Sequence, residues 1–341
     1  MENKSIIVIG AGVAGLGAGC YGQMNGYRTH IFEQNTQPGG FCTGWKRKGY
    51  TFDGCLHWLV GSSQGKMMNR MWQELGALEG KRVYDHDIFY VWRSADGSKT
   101  FTCYTDPHRL EQEALRLSPE DRPVIEEIMG AIRSLVGVSQ ALGALESGNA
   151  LQKAASLPKL AAFPGLAKKW DKMTMRELRE RFRDPFLSRV FPGFFPDNIG
   201  AIFFLFTLAW MADRNAGFPE GGSLAFARSI EKRYLDLGGT ITYRARVEKI
   251  IVENGRAVGV RLADGTEHRA DWVISAADGY TTLYRILEGR YLSPEVERPY
   301  KEGWEVFKSC VQVSFGVDMD LSREPHSQLV ELAKPIQIGD E

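Results

Sequence analysis

The chain has 341 residues, 43% hydrophobic and 25% charged, and its 42 basic residues balance 42 acidic ones. At ~150 residues per domain this length suggests about two domains; zero net charge excludes the basic footprint of a general nucleic-acid binder, and the hydrophobic content excludes an acidic disordered chain. Glycine is in excess at 37 residues, 14 of them among the first 65, so the N-terminus needs backbone free of side chains.

The five cysteines (Cys20, Cys42, Cys55, Cys103, Cys310) form no C-x-x-C pair. No disulfide framework and no metal site are expected, and a reducing, cytoplasmic compartment is the default. Met1 is followed by no leader-like pattern, because Lys4 runs directly into Ile6-Ile7-Val8-Ile9, and no signal peptide is expected. The uncharged run Asn198 to Ala212 has 15 residues, short of the ~20 that span a bilayer.

In chain order, Ser5 to Ile9 is an apolar run typical of a parallel strand covered on both faces. Gly10-Ala11-Gly12-Val13-Ala14-Gly15 follows, then a helical stretch to about Asn25 stopped by Gly26, then a strand from Arg28 to Phe32 ending at Glu33. Each part has a role in a dinucleotide site. Gly10 permits the tight turn, Gly12 admits a pyrophosphate to the backbone, and Gly15 lets the helix pack on the sheet. The helix start at Val13 and Ala14 offers unpaired N–H groups to the diphosphate. Glu33, 18 residues after Gly15, is spaced to accept from a ribose hydroxyl, and its charge disfavours a 2′-phosphate. Gly17, Gly19 and Gly22 inside the helix each cost ~1 kcal/mol relative to alanine, which close packing on the sheet would explain.

Two more strings come next, Pro38-Gly39-Gly40-Phe41-Cys42 and Gly49-Tyr50-Thr51-Phe52-Asp53-Gly54-Cys55-Leu56-His57-Trp58. The order G-x-G-x-x-G, E, G-G, F-D-G-x-x-H resembles the FAD-dependent phytoene desaturase, carotenoid isomerase and retinol saturase group within the amine-oxidase-like flavoproteins. The resemblance implies that Gly39 and Gly40 let the chain pass the diphosphate and ribityl region, and that the segment ending at His57 runs near the isoalloxazine. Phe41 stands where that superfamily often carries Arg. His57 is the one candidate for a polar group near the flavin. Its alternative is a buried histidine bonded to backbone beside Trp58, since hydride chemistry on an apolar substrate needs no protein base. His30 reads as structural.

Residues 88–104 read as a hairpin around Ala95-Asp96-Gly97. Asp106-Pro107 and Ser118-Pro119 have the form of helix starts, and Thr174-Met175-Arg176-Glu177 fits a capping box. From Asp106 to about 215 the pattern is mostly helical, with breaks expected at 158, 164–165, 192–193 and 196, and it reads as a substrate-side insertion. Residues 151–184 hold nine Lys/Arg against four Asp/Glu, and Ile202 to Trp210 is rich in aromatics. Together they suit peripheral membrane contact through 151–212 or a hydrocarbon channel; the alternative is a solvated face and a buried core helix.

Pro219-Glu220-Gly221-Gly222-Ser223 opens a helix to about Leu237. A meander follows, Val247–Glu253, Arg256–Leu262 and Thr266–Arg269, with Asn254-Gly255 and Asp264-Gly265 as hairpin turns, and Trp272–Ser275 leads to Ala277-Asp278. This string is similar to the same family's, whose likeness implies that Val247 touches the adenine side of FAD through its backbone and that Asp278 closes the cofactor site. A plain NAD enzyme needs no such excursion and return, so FAD is expected. Cys310 to Val317 reads as the start of a further strand. Relatives in that group close with a Gly-rich C-terminal segment, and no second glycine cluster follows residue 303. The resemblance therefore implies a chain lacking that segment, or a partner that supplies it.

The expected fold is α/β: a Rossmann-like FAD-binding domain (parallel sheet plus meander; 1–100 and 216–280) interleaved with a helical or mixed substrate domain (101–215, beginning again at 281–341). The function implied is hydride transfer between flavin N5 and carbon of an apolar, polyene or isoprenoid-like small molecule. An amine-oxidase-type flavoenzyme, marked by an aromatic cage, and an inactive flavin-binding fragment remain as alternatives.

Overall fold

The computed structural model describes residues 4–193, 195–303 and 312–334. The chain divides into two compact units, one of residues 1–57, 73–81 and 220–317, the other of residues 58–72, 82–219 and 318–341.

Strand β1 (Ser5–Ile9) feeds helix α1 (Val13–Met24), which returns into β2 (Arg28–Phe32). The helix ends where Gly26 takes the left-handed conformation, φ 80°, open to a residue without Cβ. The hairpin β3 (Gly44–Arg47) and β4 (Tyr50–Asp53) completes the first pass through this unit. The chain then makes β5 (Leu59–Val60), α2 (Asn69–Glu74), β6 (Val83–Tyr84) and the hairpin β7 (Ile88–Arg93) and β8 (Thr100–Tyr104). Helices α3 (Pro107–Leu117), α4 (Arg122–Leu135), α5 (Val138–Ser147), α6 (Ala150–Asp171), α7 (Met175–Arg179), α8 (Pro185–Val190) and α9 (Ala201–Ala212) follow, then β9 (Ala216–Pro219). Back in the first unit come α10 (Gly222–Asp236), β10 (Thr240–Thr242), β11 (Val247–Glu253), β12 (Arg256–Leu262), β13 (Glu267–Arg269), β14 (Trp272–Ser275) and α11 (Pro294–Lys301). Strand β15 (Gln328–Val330) runs parallel to β7 in the second unit.

The first unit is built on a parallel sheet in the order β10-β2-β1-β14 and an antiparallel meander β11-β12-β13. Ile7, Ile9, Phe32, Val247, Ile250, Val260 and Leu262 form the core between them. His30 lies at the rim of this core, stacked on Phe32 with ring centroids 4.2 Å apart and 2.8 Å from the Thr242 hydroxyl. Burial lowers its pKa and His268 adds to the effect, so it is a neutral structural side chain. Of Gly17, Gly19 and Gly22 in α1, packing explains two. A Cβ at Gly19 would stand 2.7 Å from the Tyr234 ring, and one at Gly22 would stand 2.5 Å from the Thr29 methyl. Gly17 has room, its nearest neighbour being Leu75 at 3.8 Å. Tyr234 is fully buried. Its hydroxyl donates to the Thr29 carbonyl at 2.9 Å and accepts from the Thr240 N–H at 3.2 Å, fastening α10 to β2 and β10.

The second unit buries an aromatic core that includes Tyr90, Phe101, Trp170, Phe191 and Phe204, with Ile125, Ile128, Met129 and Ile132 from α4. The Tyr90 hydroxyl, fully buried, reaches the carbonyls of Val190 and Phe191 at 2.9 and 2.8 Å. The stretch Pro119–Glu146 is long and apolar enough by composition to cross a membrane, and half of its most apolar window is buried within the protein. Ala201–Ala212 places Phe204, Leu205 and Leu208 in the core, whereas Phe203 is exposed.

Two sequence expectations change. The breaks at 158 and 164–165 are absent: α6 runs 22 residues through both Pro158 and Pro164. Each proline removes one N–H donor, but Leu160, Phe163 and Leu166 pack on the core and Trp170 is buried in it, and that burial outweighs two missing bonds. Of the expected strand Cys310–Val317, Cys310 and Val311 lie outside the described residues, and residues 312–317 pair with no strand.

Asp121 shows how the second unit is tied together. It is 1% exposed and accepts from the N–H groups of Arg183 (2.7 Å) and Asp184 (3.0 Å) and from the Ser118 hydroxyl (2.7 Å). Burial alone would raise its pKa; the two backbone N–H groups and Ser118 outweigh that and hold the carboxyl below its usual range. Stability from a depressed carboxylate pKa is complete above the unfolded value of ~3.9 and is lost as pH falls through the folded one. Asp121→Asn should therefore cost about 1–3 kcal/mol at neutral pH and flatten the loss of stability below pH ~4. Urea titrations followed by tryptophan fluorescence at several pH values check both; equal curves for the two proteins would refute the assignment.

Candidate functional site

The site begins where β1 runs out. Gly10 adopts φ 96°, a conformation that side chains avoid, and its N–H bonds the Phe32 carbonyl at 2.8 Å. The chain turns at once into α1. A Cβ at Gly15 would stand 1.9 Å from the Gly10 carbonyl oxygen, so the helix is pressed against the turn. Gly12 is the opposite case: nothing lies within 4 Å of where its Cβ would be. No side chain caps the α1 N-terminus, and its first turn has no acid. The start of α1 therefore has room beside Gly12, with the positive end of the helix behind it, a setting suited to an anion.

Glu33 is 4% exposed. Its Oε2 accepts from the Ala11 N–H at 2.7 Å and its Oε1 from the Asn35 N–H at 2.8 Å. The carboxylate thus holds the phosphate-type loop in shape, and each oxygen keeps a lone pair that a ribose hydroxyl could address. Beside it, Ala245 N–H donates to the Glu33 carbonyl at 2.8 Å, which brings the start of β11, with buried Val247, next to the end of β2.

The second glycine pair is seated on the first string. Gly39 N–H donates to the Ala11 carbonyl at 2.9 Å, and a Cβ on Gly40 would come within 3.4 Å of the Gly12 Cα. Both adopt positive φ, 112° and 60°; at Gly39 a Cβ would collide with the Cys42 carbonyl at 2.1 Å. Phe41 projects from this loop 92% exposed. The Cys42 thiol donates to the Ser223 carbonyl at 3.2 Å. Burial, with Cys55 and Asp53 nearby, pushes its pKa up to about 11, which favours the protonated thiol at neutral pH.

Sequence reading missed Asp53 and Ser223 as site residues. Asp53 Oδ2 accepts from the Ser223 N–H at 2.8 Å, its Oδ1 accepts from the Ser223 hydroxyl, and a Cβ on Gly222 would overlap Oδ2 at 1.8 Å. The Ser223 Oγ in turn accepts from the N–H of Leu56 at 2.7 Å. Asp53 therefore caps α10 and fixes the turn that leads to His57. The F-D-G string was the available signal; its partner lies 170 residues away.

Asp278 is exposed and accepts from the Thr281 N–H at 2.8 Å, a bond that holds its carboxyl below the usual range. It follows Ala276, whose N–H donates to the Ile9 carbonyl at 2.9 Å and whose carbonyl lies 3.6 Å from where a Gly10 Cβ would be. The structure thus brings Gly10, Gly12, Gly15, Glu33, Gly39, Gly40 and Ala276 together near one helix start, with Val247 two residues past Ala245 on β11 and Asp278 two residues past Ala276. His57 is exposed, which corrects the alternative of a buried histidine: it sits in a turn outside any strand or helix. Among the described residues no group of three or more His, Cys, Asp or Glu is placed to hold a metal. The open cradle at Gly12, the uncapped helix and the side-chain-free wall of Gly39 and Gly40 fit a dinucleotide diphosphate.

Residues 13–309 match the family model described as flavin containing amine oxidoreductase. The chain is 30% identical to a phytoene desaturase (lycopene-forming) from Pseudescherichia vulneris over 96% of its own length and 65% of the relative's. It is 27% identical to the chloroplastic prolycopene isomerase of Arabidopsis thaliana over 92% of its own length and 54% of the relative's. Among solved structures, an oxidoreductase from Methanosarcina mazei is similar in fold, with TM-score 0.55 and 22% identity over 87% of this chain and 64% of that one. The chain thus spans between half and two thirds of the length of these relatives.

Two glycines separate ligand from fold. At Gly12 a Cβ would meet nothing within 4 Å and φ is an ordinary −64°, so Gly12→Val should melt like the parent and lose FAD binding. Gly15→Ala clashes with backbone and should lower the melting temperature before any ligand is added. Calorimetry with and without FAD reads both, and a Gly12→Val protein with full flavin content would refute the site. Glu33→Ala strands the buried Ala11 N–H, at a cost of about 1–3 kcal/mol, and should also weaken FAD. An unchanged FAD dissociation constant would remove Glu33 from the cofactor site and leave only its loop-holding role.

Proposed function

This chain belongs to the flavin containing amine oxidoreductase family, and we propose that it is the flavin-binding part of an oxidoreductase acting on carbon–carbon bonds of an apolar, polyene or isoprenoid-like molecule. The observation that carries the reading is the open cradle at Gly12 before an uncapped α1, walled by Gly39 and Gly40. FAD, when bound, supplies the redox chemistry, hydride passing between a substrate carbon and flavin N5.

The chain's own residues bind and orient. The N–H groups at Val13, Ala14 and Gly15 would take the diphosphate. Glu33 keeps their loop in shape and would accept from the ribose, while the backbone at Val247 would border the adenine side. The turn at Asp278 would close the site next to Gly10. Asp53 and Ser223 hold α10 and the 54–57 turn in register with Gly39 and Gly40. No protein nucleophile is required, and the raised Cys42 thiol is consistent with that. His57 is the candidate polar group for positioning or proton transfer near the flavin. Sequence kinship to carotenoid enzymes at 27–30% identity favours an unsaturated hydrocarbon over an amine. Such a substrate dissolves in lipid, so a cytoplasmic protein contacting a membrane through 151–212 belongs to the same reading.

Purified protein given FAD should turn yellow, with absorbance near ~450 nm, and a linear polyene or its dihydro form should change by ~2 Da or isomerise in the presence of the appropriate redox partner. Flavin binding without any change in a polyene, but with turnover of a primary amine, would overturn the substrate class. Absence of flavin binding at all would overturn the enzyme reading for this chain.

A further inference from the structure

The 22-residue helix α6 has two apolar faces. Its inner face carries Leu160, Phe163, Leu166 and Trp170, which pack on the core of the second unit. On its outer side, positions 151, 154, 158 and 161 follow the i, i+3, i+7, i+10 spacing of one helical stripe, widened by 157 and 164. The residues there are Leu151, Ala154, Leu157, Pro158, Ala161 and Pro164, all exposed. Leu151 is 79% exposed and Leu157 60%. A helix that packs one face on a domain ordinarily turns polar residues to the other; here the other face is apolar from Leu151 to Pro164.

The charges beside this stripe have one sign. Residues 147–170 contain Lys153, Lys159, Lys168 and Lys169 and no Asp or Glu. Lys169 is tied to Glu127 at 2.6 Å, whereas Lys153 and Lys168 are exposed. A second copy of this chain would bring the same positive charge to the same face. A surface of anionic lipid headgroups over acyl chains complements both the lysines and the leucines. The two prolines fit the same picture, since their rings add to the outer apolar surface while the inner face alone holds the helix together.

We propose that the outer face of α6, from Leu151 to Pro164, is an interfacial membrane-docking surface that lies on anionic lipid, with leucines among the acyl chains and lysines at the headgroups. It rests on the reading of membrane contact within 151–212 and narrows that contact to one helix face.

Flotation of the whole chain with vesicles of phosphatidylcholine alone, and of phosphatidylcholine with phosphatidylglycerol, tests it. The parent should float with the anionic vesicles, and binding should fall with salt. Leu151→Asp with Leu157→Asp should lower the bound fraction about tenfold or more while leaving the circular dichroism spectrum intact, because both side chains are exposed. Lys153→Glu with Lys168→Glu, on the same helix but outside any core contact, should abolish the preference for anionic vesicles. A parent that floats with undiminished binding in both variants would overturn the α6 assignment and leave membrane contact elsewhere in 151–212 standing. A parent that floats with neither vesicle would overturn both.

Discussion

Helix α1 can meet strand β1 as closely as it does because residue 15 has no side chain. A methyl group there would stand 1.9 Å from the Gly10 carbonyl oxygen, well inside van der Waals contact. That approach sets the direction of α1, and with it the direction in which its unpaired N–H groups point. Gly19 and Gly22 continue the close fit along the helix, against Tyr234 and Thr29. A helix pays ~1 kcal/mol for each interior glycine, and the closeness they permit is the return. The opening at the start of α1 follows from this packing: the turn between strand and helix is built of backbone and small side chains.

The same economy recurs around the cradle. Gly39 and Gly40 lie against Ala11 and Gly12 with no side chain intervening. Gly222 leaves room for the Asp53 carboxylate, which then caps α10. The ionisable groups next to the loop are occupied in holding it: Glu33 by Ala11 and Asn35, Asp53 by Ser223. Around this loop the carboxylates shape the backbone, and burial raises the pKa of the nearby Cys42 thiol.

Much of this was legible in the chain. The elements β1, α1 and β2, the meander with its Asn-Gly and Asp-Gly turns, and the caps at Asp106 and Thr174 all rest on local chemistry, and the structure has them. The expectations that changed concern residues whose conformation is decided by distant partners. Pro158 and Pro164 break helices locally, yet α6 continues because Phe163 and Trp170 are anchored in a core supplied by other segments. His57, read as a buried histidine beside Trp58, is exposed, in a bend between β4 and β5.

By itself the sequence determined which backbone could approach a phosphate, since freedom from a side chain is a property of single residues and glycine spacing is read directly. It also determined the sign of the charge at the end of β2, through Glu33. The tertiary structure alone decided what those residues do for one another. That Glu33 spends both oxygens on the loop, that Asp53 caps a helix 170 residues away, and that α6 turns a second apolar face outward are facts about distances between segments. Hydrogen bonds reach about 3 Å and have no signature in the order of the residues they join, so only the folded chain could supply them.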